Sequence, residues 1–378
     1  MTLQRLIGVT TFGTRPGSIL VRVLMAAGYA CFAAEAVQAA NRSRDDILPV
    51  RGLHLSAPAK KDLPTAVEFI RESLSREGVN TLILEFDYNF DFRSRPEFAD
   101  AGALDKDDLQ QIVKACRERG IELIPQINCL GHQSWAKRNG RLLENHPEFD
   151  ETRGKYPNNE GIYCRSYCPL HPEVHKVLFA LIDELAKACE AKSFHVGMDE
   201  VFILADPDCP RCKGKSSAEL FAGEVKTLRD HLKRIGCRMW MWGDRFIDGK
   251  ATHLGKWEAS ENGIQGAIDL VPKDIVICDW HYDKVPETAR LFANKGFDVV
   301  ACPWRKADVA LGQLAQIRDI RGGDPAVARH ALGVVQTTWC GLSAFARAYH
   351  AQRSGAAPEK NSPSESARCF SALSNALR

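Results

Sequence analysis

Eight short apolar runs, separated by longer amphipathic stretches, constrain this chain more than any other feature. The runs occupy residues 51–57, 80–86, 121–127, 193–199, 238–244, 275–280, 298–304 and 333–339. Most are continuously apolar rather than alternating, as expected for parallel strands covered on both faces. Helical stretches lie between several of them. Residues 62–76 follow the first run, residues 107–119 end before Gly120, and residues 217–235 end before Gly236, both glycines standing where a C-cap belongs. Residues 172–191 keep Val174, Val177, Leu178, Leu181 and Leu185 at helical spacing. Eight strand–helix units point to an α/β protein with a single (β/α)8 TIM barrel domain. A doubly wound open sheet is the alternative, but no Gly-x-Gly-x-x-Gly follows any run.

The chain ends frame that barrel, which is expected over residues 40–350. Before it, the apolar run 23–34 follows Arg15 and Arg22 and precedes the small-residue stretch "AVQAAN". That order reads as a secretory signal over residues 1–39, with cleavage after Ala39 and export to the periplasm or extracellular space. The run is short for a membrane span, so the mature form is expected to have no membrane partner. The alternative is an amphipathic helix outside the barrel of a cytoplasmic protein. Residues 351–378 read as a polar linker and a short terminal helix, with Ser362 as N-cap, Pro363 in the first turn and Glu365 as capping-box partner. The formal net charge is +2 and no long Lys/Arg block occurs, so nothing argues for a nucleic-acid partner. The oligomeric state is not readable from the chain.

Thirteen cysteines are present. Cys129, Cys278, Cys302 and Cys340 lie in strand-like runs, and Cys116, Cys189 and Cys237 in or beside helices, where buried thiols act as small hydrophobes. Two close pairs differ: Cys164 with Cys168, and Cys209 with Cys212. If their loops meet, the four could form one thiolate metal site or two disulfides; the alternative is packing. No other metal or cofactor is implied.

Barrel chemistry sits at the C-terminal ends of strands. Those ends hold Glu85 and Asp87, then Asn128 with Gly131 and His132, then Asp199 and Glu200. Trp242 with Asp244, Trp280 with His281 and Tyr282, Trp304 and Trp339 complete the circuit. Four tryptophans on four strand ends suit the apolar faces of a sugar ring, although any one could merely seal the barrel top. Adjacent acids where a strand turns can both reach one pocket. Proximity and partial burial raise the pKa of at least one, giving the protonated acid a glycosidase needs. The competing reading of Asp199 is a cap for the next helix.

"FHVGMDE" resembles the His-x-Gly-x-Asp-Glu motif of family 20 glycoside hydrolases, the β-N-acetylhexosaminidases. "RGLHL", "GIELIPQINCLGH" and "YCPLHPEV" are similar to further segments of that family, and the likeness runs over residues 51–343. The pattern is nearest its compact, barrel-only, hexosaminidase D-like branch. The resemblance implies removal of terminal β-linked GlcNAc or GalNAc from an amino-sugar glycan, with retention, through an oxazolinium formed by the substrate's own acetamido group. It implies Glu200 as acid and then base, and Asp199 as the residue that orients the acetamido nitrogen. Arg51 would bind hydroxyls, Trp242, Trp280 and Trp339 would wall the sugar subsite, and His132 with Asp87 would support it from beneath. The chain departs from the family at Ser56, at Cys340–Gly341 after Trp339, and in having no Tyr on the seventh strand, for which Tyr282 is the nearest substitute. A catalytically weak glycan-binding barrel is the alternative function. A metal-dependent hydrolase ranks last, since no His/Asp ligand cluster marks the strand ends.

Overall fold

A computed structural model describes residues 48–378 apart from residue 358, so the expected signal segment lies outside the described residues. Leu48–Arg378 forms one compact unit. Its eight main strands are β1 (Val50–Ser56), β2 (Thr81–Glu85), β3 (Glu122–Cys129), β4 (Ser193–Gly197), β5 (Arg238–Trp242), β6 (Val276–Trp280), β7 (Asp298–Cys302) and β8 (Ala331–Gly341). They close into a barrel in chain order, β8 returning to β1, and every neighbouring pair is parallel. The chain is therefore a (β/α)8 TIM barrel.

Strand parity divides the core into two layers. Ile83, Ile124, Trp240, Trp242, Val276, Cys278, Val300 and Val335 pack together inside the barrel. Their strand neighbours, such as Leu82, Leu84, Leu123, Met241, Ile277 and Val299, pack outward against the helices. Burial on both faces is why the runs read as continuously apolar. The outer helices include α1 (Leu63–Glu68), which continues as a π-turn over Phe69–Leu74, α2 (Lys106–Glu118), α3 (Val174–Ala188) and α4 (Ser217–Arg234). After them come α5 (Thr288–Asn294), α6 (Ala307–Arg321), α7 (Leu342–Arg353) and α8 (Ser362–Leu377). Asp105 and Asp108 form a reciprocal capping box on α2, and Ser216 caps α4.

The terminal helix forms where expected, with its cap one residue earlier. Its N-cap is Asn361, one residue before Ser362, because the Asn361 carboxamide accepts from Ser364 N. The helix is also part of the barrel unit. Cys369, Phe370 and Leu373 are buried, Gln336 on β8 donates to Ser366 O at 2.9 Å, and Arg318 on α6 donates to Ala376 O at 2.8 Å.

Candidate active site

The acid pair owes its geometry to a short run of unusual backbone. β4 ends at Gly197, with φ of +66°, and a Cβ there would lie 2.3 Å from Asn128 Oδ1. Only glycine lets β4 approach β3 this closely. Met198 and Glu200 are also left-handed, with φ of 70° and 50°. The chain therefore does not alternate faces past Gly197, and the carboxylates of Asp199 and Glu200 enter one cavity. Asp87, His132 and Trp339 share this strained conformation and line the same cavity. Such clustering costs about 1–3 kcal/mol per residue and is characteristic of sites whose geometry matters more than local stability.

His132 joins the two acids. Its Nε2 lies 3.3 Å from Asp199 Oδ2 and 3.3 Å from Glu200 Oε2, as close ionic contacts rather than well-aligned hydrogen bonds. Burial works against charge on this imidazole, yet the two carboxylates hold its pKa well above the usual histidine value. Asp199 is 5% exposed, and its Oδ1 is buried with no hydrogen-bond partner. An acceptor left open in this way suits an N–H brought by a ligand.

A second acidic group faces the same cavity. Asn128 Nδ2 donates to Glu85 Oε1 at 2.7 Å and to Asp87 Oδ2 at 3.2 Å, while Asn128 N donates to Asp87 Oδ1 at 2.8 Å. Burial, and then the charge of Asp87, pushes Glu85 up to about 7. Asp87 is raised as well, mainly by burial.

Behind Glu200, the buried Asp244 accepts from Glu200 N at 3.0 Å and from Arg245 Nε at 2.6 Å. Burial raises Asp244 to about 6 despite the guanidinium beside it. Arg245 Nη2 donates to the carbonyls of Lys256, Trp257 and Ala259 at 2.8, 3.1 and 2.7 Å. One buried ion pair thus ties the Glu200 backbone to the loop carrying Trp257 and Glu258.

The cavity encloses about 640 Å³. Trp280, Tyr282, Trp304 and Trp339 form one wall; Trp339 Nε1 donates to Tyr282 Oη at 2.7 Å, and Trp280 stacks on Tyr282 at 5.0 Å. Trp135, Tyr163 and Trp257 form the opposite, more open rim, with edge-to-face contacts of 5.7 and 5.1 Å through Tyr163. The volume and lining suit a sugar ring with an open side toward its neighbour.

The structure places Arg51 and Trp242 outside the cavity lining. Arg51 stands at the N-terminal end of β1, at the opposite end of the barrel, donating to Gly78 O and Leu48 O. The mouth-facing end of that strand is Ser56, whose hydroxyl lies 3.4 Å from Glu85 Oε2. Trp242 is fully buried inside the barrel, 4.6 Å from the His195 ring and 5.6 Å from Trp339, so it underlies the wall instead of lining it. Asp199, Glu200, His132, Asp87, Trp280, Tyr282 and Trp339 all line the cavity. His132 stands between the acids rather than beneath them. Among the cysteines, Cys164 separates from the other three: its thiol donates to Glu200 O at 3.6 Å. The four-thiolate site and the two paired disulfides are therefore not formed. Residues absent from the expected site include Glu85, Asn128, Trp135, Tyr163, Trp257, Glu258 and Trp304. Glu85, Asn128 and Trp304 were read at strand ends without a role; Trp135, Tyr163, Trp257 and Glu258 stand on the connections between barrel strands and helices, where no strand end marks them.

Adjacent acids under an aromatic wall at the C-terminal mouth of a TIM barrel are an arrangement that carbohydrate-active enzymes use. The family model for the catalytic domain of glycosyl hydrolase family 20 matches residues 88–319, and the chain belongs to that family. A β-hexosaminidase of Vibrio furnissii is 26% identical over 256 residues, which are 66% of this chain and 35% of that protein. A lacto-N-biosidase of Bifidobacterium bifidum is 29% identical over 165 residues, which are 40% of this chain and 14% of that protein. The chain thus spans well under half the length of these curated relatives. The chitobiase structure from Flavobacterium johnsoniae superposes with a TM-score of 0.58 at 16% identity, covering 87% of this chain and 50% of that one, a likeness of fold.

Proposed function

We propose that the protein is a β-N-acetylhexosaminidase that releases terminal N-acetylhexosamine from amino-sugar glycans by a retaining, substrate-assisted route. The observation that carries this reading is the open, buried Asp199 Oδ1 beside Glu200 in an aromatic-walled cavity. In this route the 2-acetamido oxygen attacks the anomeric carbon while Glu200 gives its proton to the leaving oxygen. Asp199 accepts from the acetamido N–H and stabilises the positive charge of the oxazolinium as it forms. Glu200, now a carboxylate, then takes a proton from the water that opens the ring. The His132 cation, 3.3 Å from both carboxylates, offsets the negative charge that Glu200 carries after proton transfer. Trp280, Trp304 and Trp339 hold the sugar ring, and Tyr282 is near enough to that wall to donate its O–H to the acetamido oxygen. Family membership and the β-hexosaminidase relatives support the substrate class.

A thiazoline analogue of the cyclic intermediate tests the reading. It is expected to bind far more tightly than GlcNAc by calorimetry, and Asp199→Asn is expected to erase most of that difference. Equal affinity of wild type for the two ligands would instead favour the weakly catalytic, glycan-binding barrel. Export belongs to the same reading and is supported by the sequence of residues 23–39 alone. Protein isolated from its host is expected to begin near Ala40; intact Met1 on the cytoplasmic protein would contradict it. No helix among the described residues is long and apolar enough to cross a membrane.

A further inference from the structure

Three of the four cysteines in the close pairs come together with a carboxylate, at a place the glycosidase chemistry does not use. The thiols of Cys168, Cys209 and Cys212 and one carboxylate oxygen of Glu151 all lie within 4.8 Å of one another. The Cys168–Cys212 and Cys168–Cys209 sulfur separations are 3.4 and 3.6 Å. Those are close to the ~3.8 Å edge of a tetrahedron with ~2.3 Å zinc–sulfur bonds. All four residues are buried, none more than 3% exposed. Glu151 supplies an independent sign of a ligand. One of its oxygens accepts from Asp206 N at 3.0 Å, while Oε2 is buried without a hydrogen-bond partner. An unpartnered buried carboxylate oxygen beside three thiols is costly unless a cation takes it.

We propose that Glu151, Cys168, Cys209 and Cys212 form a structural zinc site that clips the β3–α3 loop to the β4–α4 loop. Binding Zn²⁺ displaces three thiol protons to solvent, leaving three thiolates and one carboxylate around a divalent ion, with a formal charge of −2. Three soft thiolates favour zinc over magnesium or calcium. Four protein ligands close the coordination shell, so the metal is structural and not a site for substrate. Cys209 and Cys212 form a two-residue-spaced knuckle, in which Lys213 N donates to Cys209 O and Lys215 N to Cys212 O, both at 3.1 Å. The loop they stand on follows Gly197 and carries Asp199 and Glu200 at its start. The loop bearing Glu151 and Cys168 also bears Tyr163 of the mouth and Cys164, whose thiol donates to Glu200 O. The zinc therefore joins the segment following the acid to the segment forming the open rim. This inference does not depend on the reaction proposed for Glu200.

The test is metal analysis of the full chain, expressed with zinc and purified without chelator. About one equivalent of zinc per chain is expected. Exchange for cobalt should give a thiolate-to-metal charge-transfer band and the intense visible bands of tetrahedral Co²⁺. Cys212→Ser and Cys209→Ser should lose the metal, and Cys164→Ser should keep it. Chelation should lower the melting temperature, and added zinc should restore it. If the serine variants do not fold, thiol counting on the wild type decides: three thiols should be shielded with zinc bound and reactive after chelation. Wild type holding less than about a tenth of an equivalent after reconstitution would overturn the site. So would zinc retained by Cys212→Ser, or a disulfide among these cysteines in the native protein.

Discussion

Each acid near the centre has a distinct environment, and substitutions should separate their roles. Glu200→Gln keeps the shape but removes the transferable proton. It is expected to lower kcat on substrates with poor leaving groups by ~10²–10⁴-fold, the usual worth of general acid catalysis. Activated aryl leaving groups should lose much less, and an unchanged rate on a disaccharide would remove Glu200 from its role. Glu85 should act through stability. Its folded pKa of about 7 lies above the ordinary glutamate value of 4.5, so between those values the unfolded chain has released a proton that the folded chain still holds. The stability contributed by this group is therefore full below about 4.5 and is lost as pH rises through about 7. Glu85→Gln should flatten the fall of melting temperature across that window, because its amide oxygen can still accept from Asn128. An identical slope in calorimetric scans of both proteins would contradict this assignment. At this scale Asp199, Glu200 and His132 were readable because the turn after a strand marks them. Arg51 was misplaced because a motif likeness overrode strand direction: it opens its strand and so lies away from the mouth.

Elements set the site through close approach. β4 reaches β3 only because Gly197 has no side chain, and Asn128, the group it touches, holds Glu85 and Asp87. Gly197→Ala should therefore cost at least ~1–3 kcal/mol, from φ strain and contact together. The midpoint of urea unfolding should fall, and kcat should fall with it as Asn128 moves. A midpoint unchanged from wild type would show that the strand end can shift without loss. Trp242 shows the limit of reading tryptophans at strand ends. Trp240 and Trp242 are two apart on β5 and therefore face the same side, the barrel interior. Trp280 shares that inward parity with Val276 and Cys278 and still lines the cavity, so depth in the barrel rather than parity separates Trp242 from the wall. Trp135, Tyr163, Trp257 and Glu258 carry no such signal. Their positions depend on where long loops fold, and for Trp257 on the carbonyls that Arg245 gathers.

For the whole molecule, the barrel was legible because double burial forces continuous apolar runs, and eight of them leave few other arrangements. The terminal helix was legible from the Pro363 and Glu365 at its start, but its partners on β8, α6 and α7, remote in sequence, were not. It buries Phe370 and Leu373, each worth about 1.5–3 kcal/mol when fully buried. Tyr349 and Arg378 also meet on the carboxylate of Glu77. A chain ending at Gln352 is accordingly expected to be insoluble or to melt well below the full chain; equal melting temperatures would make α8 an appendage.

In the proposed reaction the nucleophile belongs to the substrate, with Asp199 and Glu200 serving it. The most direct measure of this is the ratio of kcat/KM for two aryl β-glucosides that differ only at carbon 2, one bearing an acetamido group and one a hydroxyl. Both fit the same aromatic wall, but only one carries the attacking oxygen, and an internal nucleophile is worth many orders of magnitude. A preference for the acetamido substrate of at least ~10³-fold is expected. Comparable turnover of the two, or a glycosyl group trapped covalently on Glu200 or Asp199, would make the acids an ordinary carboxylate pair and contradict the account.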